Sequence, residues 1–298
     1  MCDCLVALPA ATGGDVSLFA KNSDRPPQET QLIEWSAPRR DTTALRATHI
    51  DVDPHPDPTL GCLLSRPRWC WGAEHGVNEA GVAMGNTTVY TTHDPRTARP
   101  ALIGMDLVRL ALERAATAQE AVGVTTTLLE RYGQGGSGHD LGRGLDRPYW
   151  SSFLVADPSS AWVIDTSGNE WAAEPVREVR AISNRTSIPA FDAAHRHPKQ
   201  PVGRLVDPRW EASKAVLMSR PVTQESLAQH LRSHDSCADP GWSVCMHVAG
   251  VEATTASMIA ELRSDGGPHR AWVLTGHPCE QEYVEVRVGD HVGTALLS

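Results

Sequence analysis

Cys2 is the residue around which chemistry can be organised in this 298-residue chain. It stands directly behind Met1, and an initiator methionine is trimmed when the next side chain is small. On that expectation one residue carries both a thiol and a free α-amine. Their ordinary pKa values, about 8.5 and about 7.7–8.0, are matched for proton transfer near neutrality, so the amine can act as base for its own side chain. Cys4 is the rival nucleophile, although it needs a further cut after Asp3 to gain an amine. A Cys-x-Cys metal clip is a third reading, but no companion pair at zinc-like spacing accompanies it.

A nucleophile at a chain end must be held still, because termini fray. Residues 5–8 and 16–20 are short apolar runs separated by Pro9 and Thr12-Gly13-Gly14, and they read as a β-hairpin. The second run leads into Lys21-Asn22-Ser23-Asp24-Arg25, a polar cluster at a strand end that the hairpin returns to the neighbourhood of Cys2. Strands are expected at 31–35, 44–52 and 61–65, with a loop at 53–58 where three prolines remove backbone donors. Asn78-Glu79-Ala80-Gly81 reads as a turn, followed by a buried strand at 82–85 whose end presents Asn86. An Asn amide offers two uncharged donors, which suits a carbonyl oxygen that gains charge during attack; a turn-closing Asn explains it as well.

Residues 102–114 have helical periodicity, and Thr117-Ala118-Gln119-Glu120 is a capping-box pattern opening a second helix that stops at Tyr132-Gly133. The glycine-rich run at 133–138 follows a helix and lacks Gly-Lys-Ser/Thr, so it reads as a flexible loop over a site and not as a phosphate cradle. Strands follow at 153–157, 161–166, 171–173 and 179–184, then a polar loop at 191–208 and helices at 210–218 and 223–233. Strands at 245–248, 254–259, 271–276 and 283–288 close the chain. Cys62 and Cys70 read as core thiols, and Trp69 and Trp71 as either a pocket wall or core packing.

Four stretches carry a resemblance, the fourth being the Ser183-Asn184 and Ser187-Ile188 segment. Cys2-Asp3-Cys4 with Thr12-Gly13-Gly14 and Lys21-Asn22-Ser23-Asp24-Arg25-Pro26 is the first; residues 65–86 are the second; residues 102–114 are the third. Together they resemble the secernin-like C69 dipeptidase group of the N-terminal-nucleophile (Ntn) hydrolases, whose relatives include bile-salt hydrolases and penicillin V acylases. The resemblance implies an α+β fold, a four-layer αββα sandwich, formed as a single domain over residues 1–298. It implies an amide hydrolase cleaving dipeptides or small N-acyl compounds through a thioester. Cys2 would be the nucleophile, Asp24 the acid that orients its amine, Asn86 the oxyanion donor, and Asn184 a second amide holding nucleophile and substrate carbonyl. Capping Asp24 and strand-end Asn184 are the plainer readings. Lys21 stands where bile-salt hydrolases have arginine, and it is expected to lower the thiol pKa. Lys21, Arg25, Trp71 and Glu74 form the expected substrate-binding set.

The composition excludes other classes. A net charge of −9 argues against nucleic acid and anionic membranes. No apolar run reaches the length of a membrane span, and no basic leader precedes the first apolar run. Seven irregularly spaced cysteines favour a reducing cytoplasm over a disulfide framework. Thirteen histidines form no His-Glu-x-x-His, Gly-x-Ser-x-Gly is absent, and no metal or cofactor is expected. The expected partner is a small-molecule or dipeptide substrate, with homo-oligomerisation left open. An acyltransferase using the same Cys2, a regulator without turnover and a Cys2 converted to an electrophilic cap remain as alternatives.

Overall fold

The computed structural model describes residues 1–40, 42–140, 146–235 and 239–290. In chain order its strands are β1 (Cys2–Ala7), β2 (Val16–Arg25), β3 (Gln31–Ser36), β4 (Leu45–Arg46), β5 (Asp51–Val52), β6 (Cys62–Pro67), β7 (His75–Asn78) and β8 (Ala83–Val89). They continue with β9 (Trp150–Ala156), β10 (Ala161–Ser167), β11 (Glu170–Pro175), β12 (Val179–Ile182), β13 (His247–Val248), β14 (Glu252–Arg263), β15 (Arg270–Thr275) and β16 (Val284–Arg287). The helices are α1 (Pro9–Thr12), α2 (Gly104–Arg114), α3 (Ala118–Tyr132), α4 (Pro189–His195), α5 (Val202–Leu205), α6 (Asp207–Met218) and α7 (Gln224–Leu231).

Two antiparallel sheets face one another. The first has the order β12-β1-β2-β14-β15-β16, with β13 on β14; the second has the order β11-β10-β9-β8-β7-β6-β3. Three apolar clusters define the layers. Val6, Phe19, Leu63, Val77, Leu154 and Met258 fill the space between the sheets. Leu64, Met84 and Phe153 pack outward against Leu107, Val108 and Leu128 of α2 and α3. Leu5, Leu18, Ala20 and Ile259 pack on the opposite outer face against Leu217 of α6 and Leu227 of α7. This is the expected α+β, four-layer αββα sandwich. No helix among the described residues is long and apolar enough to cross a membrane.

The expected hairpin forms, with Cys2 opposite Ser23 and Ala7 opposite Leu18. Its connection holds one helical turn, α1, closed by Gly13 at φ 71°. Thr117 caps α3 through Glu120 N–H, but the reciprocal half of the expected capping box is not formed: Glu120 Oε2 accepts from Ala116 N–H at 2.8 Å. Three expectations are corrected. Residues 44–52 form only the two-residue β4–β5 ladder. Residues 191–208 hold most of α4, all of α5 and the start of α6; at seven and four residues, α4 and α5 are too short to show a helical period, so their sequence reads as a loop. Asn86 lies inside β8, opposite Phe153, and not at a strand end. The six cysteines among the described residues are free thiols; Cys237 lies outside those residues.

Candidate active site

The alternation of a strand sorts the polar cluster of β2 into two sets, because successive side chains point to opposite faces. Lys21, Ser23 and Arg25 share the inter-sheet face with Phe19. Asn22 and Asp24 share the helix-facing side with Ala20. In β1 the same rule turns Cys2 and Cys4 inward and Asp3 outward to α6.

The inward group surrounds the Cys2 sulfur with charge. Lys21 Nζ lies 3.7 Å from Cys2 Sγ and donates to Ser23 Oγ at 2.9 Å and to Glu74 Oε2 at 3.2 Å. Cys2 Sγ also approaches Glu74 Oε2 at 3.7 Å. Arg25 reaches Glu74 Oε1 at 3.2 Å, and its remaining nitrogens engage Glu29 and the Gly138 carbonyl. Burial alone raises the Glu74 carboxyl, but Lys21 and Arg25 outweigh it and hold Glu74 below the ordinary value. Lys21, despite burial, stays protonated above the ordinary lysine value beside Cys2 and Glu74. Ser23 Oγ meets His75 Nδ1 at 3.0 Å, and burial followed by the Lys21 charge keeps that imidazole neutral. The residues expected to bind substrate therefore include three, Lys21, Arg25 and Glu74, that are buried and paired with one another. They form a charged floor beneath Cys2, not an open binding surface. Trp71 packs against the α2–α3 core with Arg109 stacked 4.4 Å above its ring. It makes no described contact with the Cys2 group.

The outward group fixes the backbone of the nucleophile. Cys2 N–H donates to Asn184 Oδ1 at 3.0 Å, and Asn184 Nδ2 donates to the Thr88 carbonyl at 3.0 Å. Arg209, fully buried on α6, donates to Asn184 Oδ1 at 2.8 Å and to Asp3 Oδ2 at 2.5 Å. Arg209 and Asp3 were not legible as site residues in the sequence. The only signal was a buried-looking acid between two cysteines. The Asp24 carboxyl does not hydrogen-bond Cys2. Its Oδ1 accepts from Thr254 Oγ1 at 2.7 Å; its Oδ2 is buried without a hydrogen-bond partner, with Arg209 Nη1 3.9 Å from it. Burial pushes this carboxyl up to about 7 against the opposing pull of the N-terminal ammonium and Arg209.

Asn86 is not joined to Cys2 either. It shares the face of Phe153, its Nδ2 lies 3.5 Å from Ser151 Oγ, and its Oδ1 is buried without a partner. Its backbone N–H binds the Glu74 carbonyl at 3.2 Å. The oxyanion role expected of its side chain therefore lacks the geometry in this state of the chain.

Met1 closes the site. Its nitrogen donates to Glu252 Oε2 at 2.5 Å and to the Asp24 carbonyl at 3.0 Å, and the Asp24 N–H returns a bond to the Met1 carbonyl at 2.9 Å. Met1 lines a cavity of about 170 Å³ together with Thr88, His139, Arg147, Asn184 and Glu252. An adjoining groove of about 430 Å³ shares Tyr90, Gln200 and Pro201 with it. Behind Met1, Cys2 is 3% exposed. Burial pushes its thiol up to about 11, more than Lys21 lowers it. The expected depression by Lys21 is present as a contribution and is overruled by desolvation.

Residues 69–199 match the model of peptidase family C69. The C69 segment runs from the turn before β7 to the residues after α4, and so carries Glu74, Asn86 and Asn184. The hairpin with Cys2 and Asp24 precedes it. The whole chain has the fold of a conjugated bile acid hydrolase from Clostridium perfringens. A cysteine-to-alanine mutant of that enzyme superposes with a TM-score of 0.53 at 9% identity, over 98% of this chain and 100% of that one. An arginine-to-leucine variant gives 0.53 at 10% identity, over 97% and 98%. At these identities the fold is what is shared.

Proposed function

We propose that this protein is an N-terminal cysteine amide hydrolase of the C69 type, closed until Met1 is removed. The observation that carries the reading is the position of Met1. It lines the cavity and is bonded directly to a cysteine that is fixed by Asn184 and flanked by a buried ammonium. Removal of Met1 would turn the Cys2 amide into an amine and open its thiol to the cavity, relieving the desolvation that now keeps the thiol protonated.

In the opened form the amine of Cys2 takes the thiol proton, and the sulfur attacks the carbonyl carbon of a small amide. Lys21 stabilises the thiolate, and the unpartnered Asp24 Oδ2 is the acceptor for a proton of the new ammonium. Collapse of the tetrahedral adduct breaks the C–N bond, and the ammonium returns its proton to the leaving amine. Water then cleaves the thioester, giving the acid and the free thiol. The cavity suits a dipeptide or a short N-acyl compound, and the adjoining groove gives room for a longer acyl or peptide end. Glu252 and Arg147, 3.3 Å apart at the cavity, offer one carboxylate and one guanidinium to a zwitterionic dipeptide.

The test is direct. Intact-mass measurement should show a chain lacking Met1, and Cys2→Ala should abolish hydrolysis of a dipeptide panel while Cys4→Ala does not. An active protein that retains Met1, or a Cys2→Ala variant as active as the parent, sinks the proposal.

A further inference from the structure

A second chemical cluster lies at the start of β13, outside the Cys2 group. His234 follows α7, Cys245 and His247 flank the start of β13, and Cys279 lies in the turn after β15. Each offers one ligand atom, and the four atoms lie within 4.8 Å of one another. The His247 Nε2 atom is 3.4 Å from Cys245 Sγ and 3.3 Å from Cys279 Sγ. The His234 ring meets His247 edge-on, with centroids 5.1 Å apart.

Cys279 hydrogen-bonds Cys245 through both its backbone and its side chain, but these bonds do not explain why His247 Nε2 faces both sulfurs at once. One imidazole nitrogen is either a donor or an acceptor with a single lone pair, so it satisfies one thiol and not two. A shared cation does account for it. Zinc–sulfur and zinc–nitrogen bonds of about 2.3 and about 2.05 Å at tetrahedral angles place neighbouring S and N ligand atoms about 3.6 Å apart. The two observed S···N separations fall within a few tenths of an ångström of that edge. The donor set, two thiols and two imidazoles, is that of a closed structural zinc site and not of the oxygen-rich sites of magnesium or calcium.

We propose that His234, Cys245, His247 and Cys279 bind one zinc ion. On binding, both thiols lose their protons to solvent and the two imidazoles coordinate as neutral ligands. The ion ties the end of α7, the start of β13 and the β15–β16 connection into one unit. That unit supports the active site, because Met246 N–H, next to Cys245, donates to Thr254 Oγ1 at 2.8 Å, and Thr254 in turn holds Asp24. No sequence motif announces the site, since its ligands come from three separate segments. His234 and Cys279 are exposed, which leaves the ion within reach of chelators.

Elemental analysis of the full chain, purified without chelator and under reducing conditions, should find one zinc per chain. After zinc is stripped, cobalt(II) should restore one equivalent and give thiolate-to-metal absorption with the visible bands of a tetrahedral site. Cys279→Ser and His234→Ala change exposed side chains, so their fold should survive by circular dichroism while zinc and the cobalt spectrum are lost. Failure of the reduced, folded protein to take up either metal overturns the proposal. So does a Cys245–Cys279 disulfide in protein isolated without oxidant, or unchanged zinc content in both variants. Copper or iron found at one equivalent overturns the choice of ion.

Discussion

Replacing Asp24 by Asn removes one titrating carboxyl from the helix-facing side of β2 while keeping its shape and its bond from Thr254. In the parent protein burial raises this carboxyl to about 7. In the unfolded chain an aspartate titrates near 3.9. A folded pKa above the unfolded one means that the native state holds the extra proton between those two values. Its stabilising contribution is complete below about pH 4 and is lost as pH rises through about 7. Over the practical interval from about pH 5 to about pH 8 the linkage relation gives a loss of ~3 kcal/mol. Asp24→Asn has no such proton to lose. Urea unfolding of parent and variant at several pH values across that interval should show the variant gaining about that much on the parent as pH rises. Both proteins must have the same N-terminus by mass, because the terminal ammonium pulls on Asp24. Parallel stability-against-pH curves would refute the reasoning, since they would mean that Asp24 is ionised throughout and that burial does not govern it.

Lys21→Gln removes the buried ammonium beside Cys2. The thiol should rise further, and alkylation by iodoacetamide near neutral pH should slow by about tenfold for each pKa unit, with its pH midpoint displaced upward. Arg209→Ala leaves the buried Asp3 with only the Ser183 hydroxyl and no opposite charge, and should cost about 3–5 kcal/mol in urea unfolding. A loss below 1 kcal/mol would mean that Asp3 is reached by solvent. Gly72→Ala sets a methyl group 2.3 Å from the Met105 carbonyl carbon, so the α2 backbone must move; about 1–3 kcal/mol of destabilisation is expected in thermal or urea unfolding.

The elements that follow local rules are those the chain announces by itself. The apolar periodicity of α2 and the Thr117 cap of α3 need no distant partner. The β1–β2 hairpin is likewise set by two apolar runs and a glycine turn, and it suffices to bring Lys21 and Ser23 to Cys2. By contrast, α4 is only seven residues long, with Phe191 and Asp192 buried against the fold, so its own sequence is too short to show a helical period. Residues 44–52 have the composition of a strand, yet only Leu45–Arg46 and Asp51–Val52 find ladder partners.

The amino-acid order determined that Cys2 stands directly behind Met1 and that a hairpin anchors it, and the resemblance put Asp24 and Asn184 near it. Tertiary structure decided which way each side chain points. It turned Asn86 to the face of Phe153, locked Lys21, Arg25 and Glu74 into a buried ion-pair floor, and set Trp71 into the outer core. It also supplied Arg209, Glu252 and the His234–Cys245–His247–Cys279 cluster from segments far apart in the chain. The reason is physical: strand alternation and apolar runs are encoded over a few neighbouring residues, whereas burial and charge pairing depend on which strands the sheets set side by side.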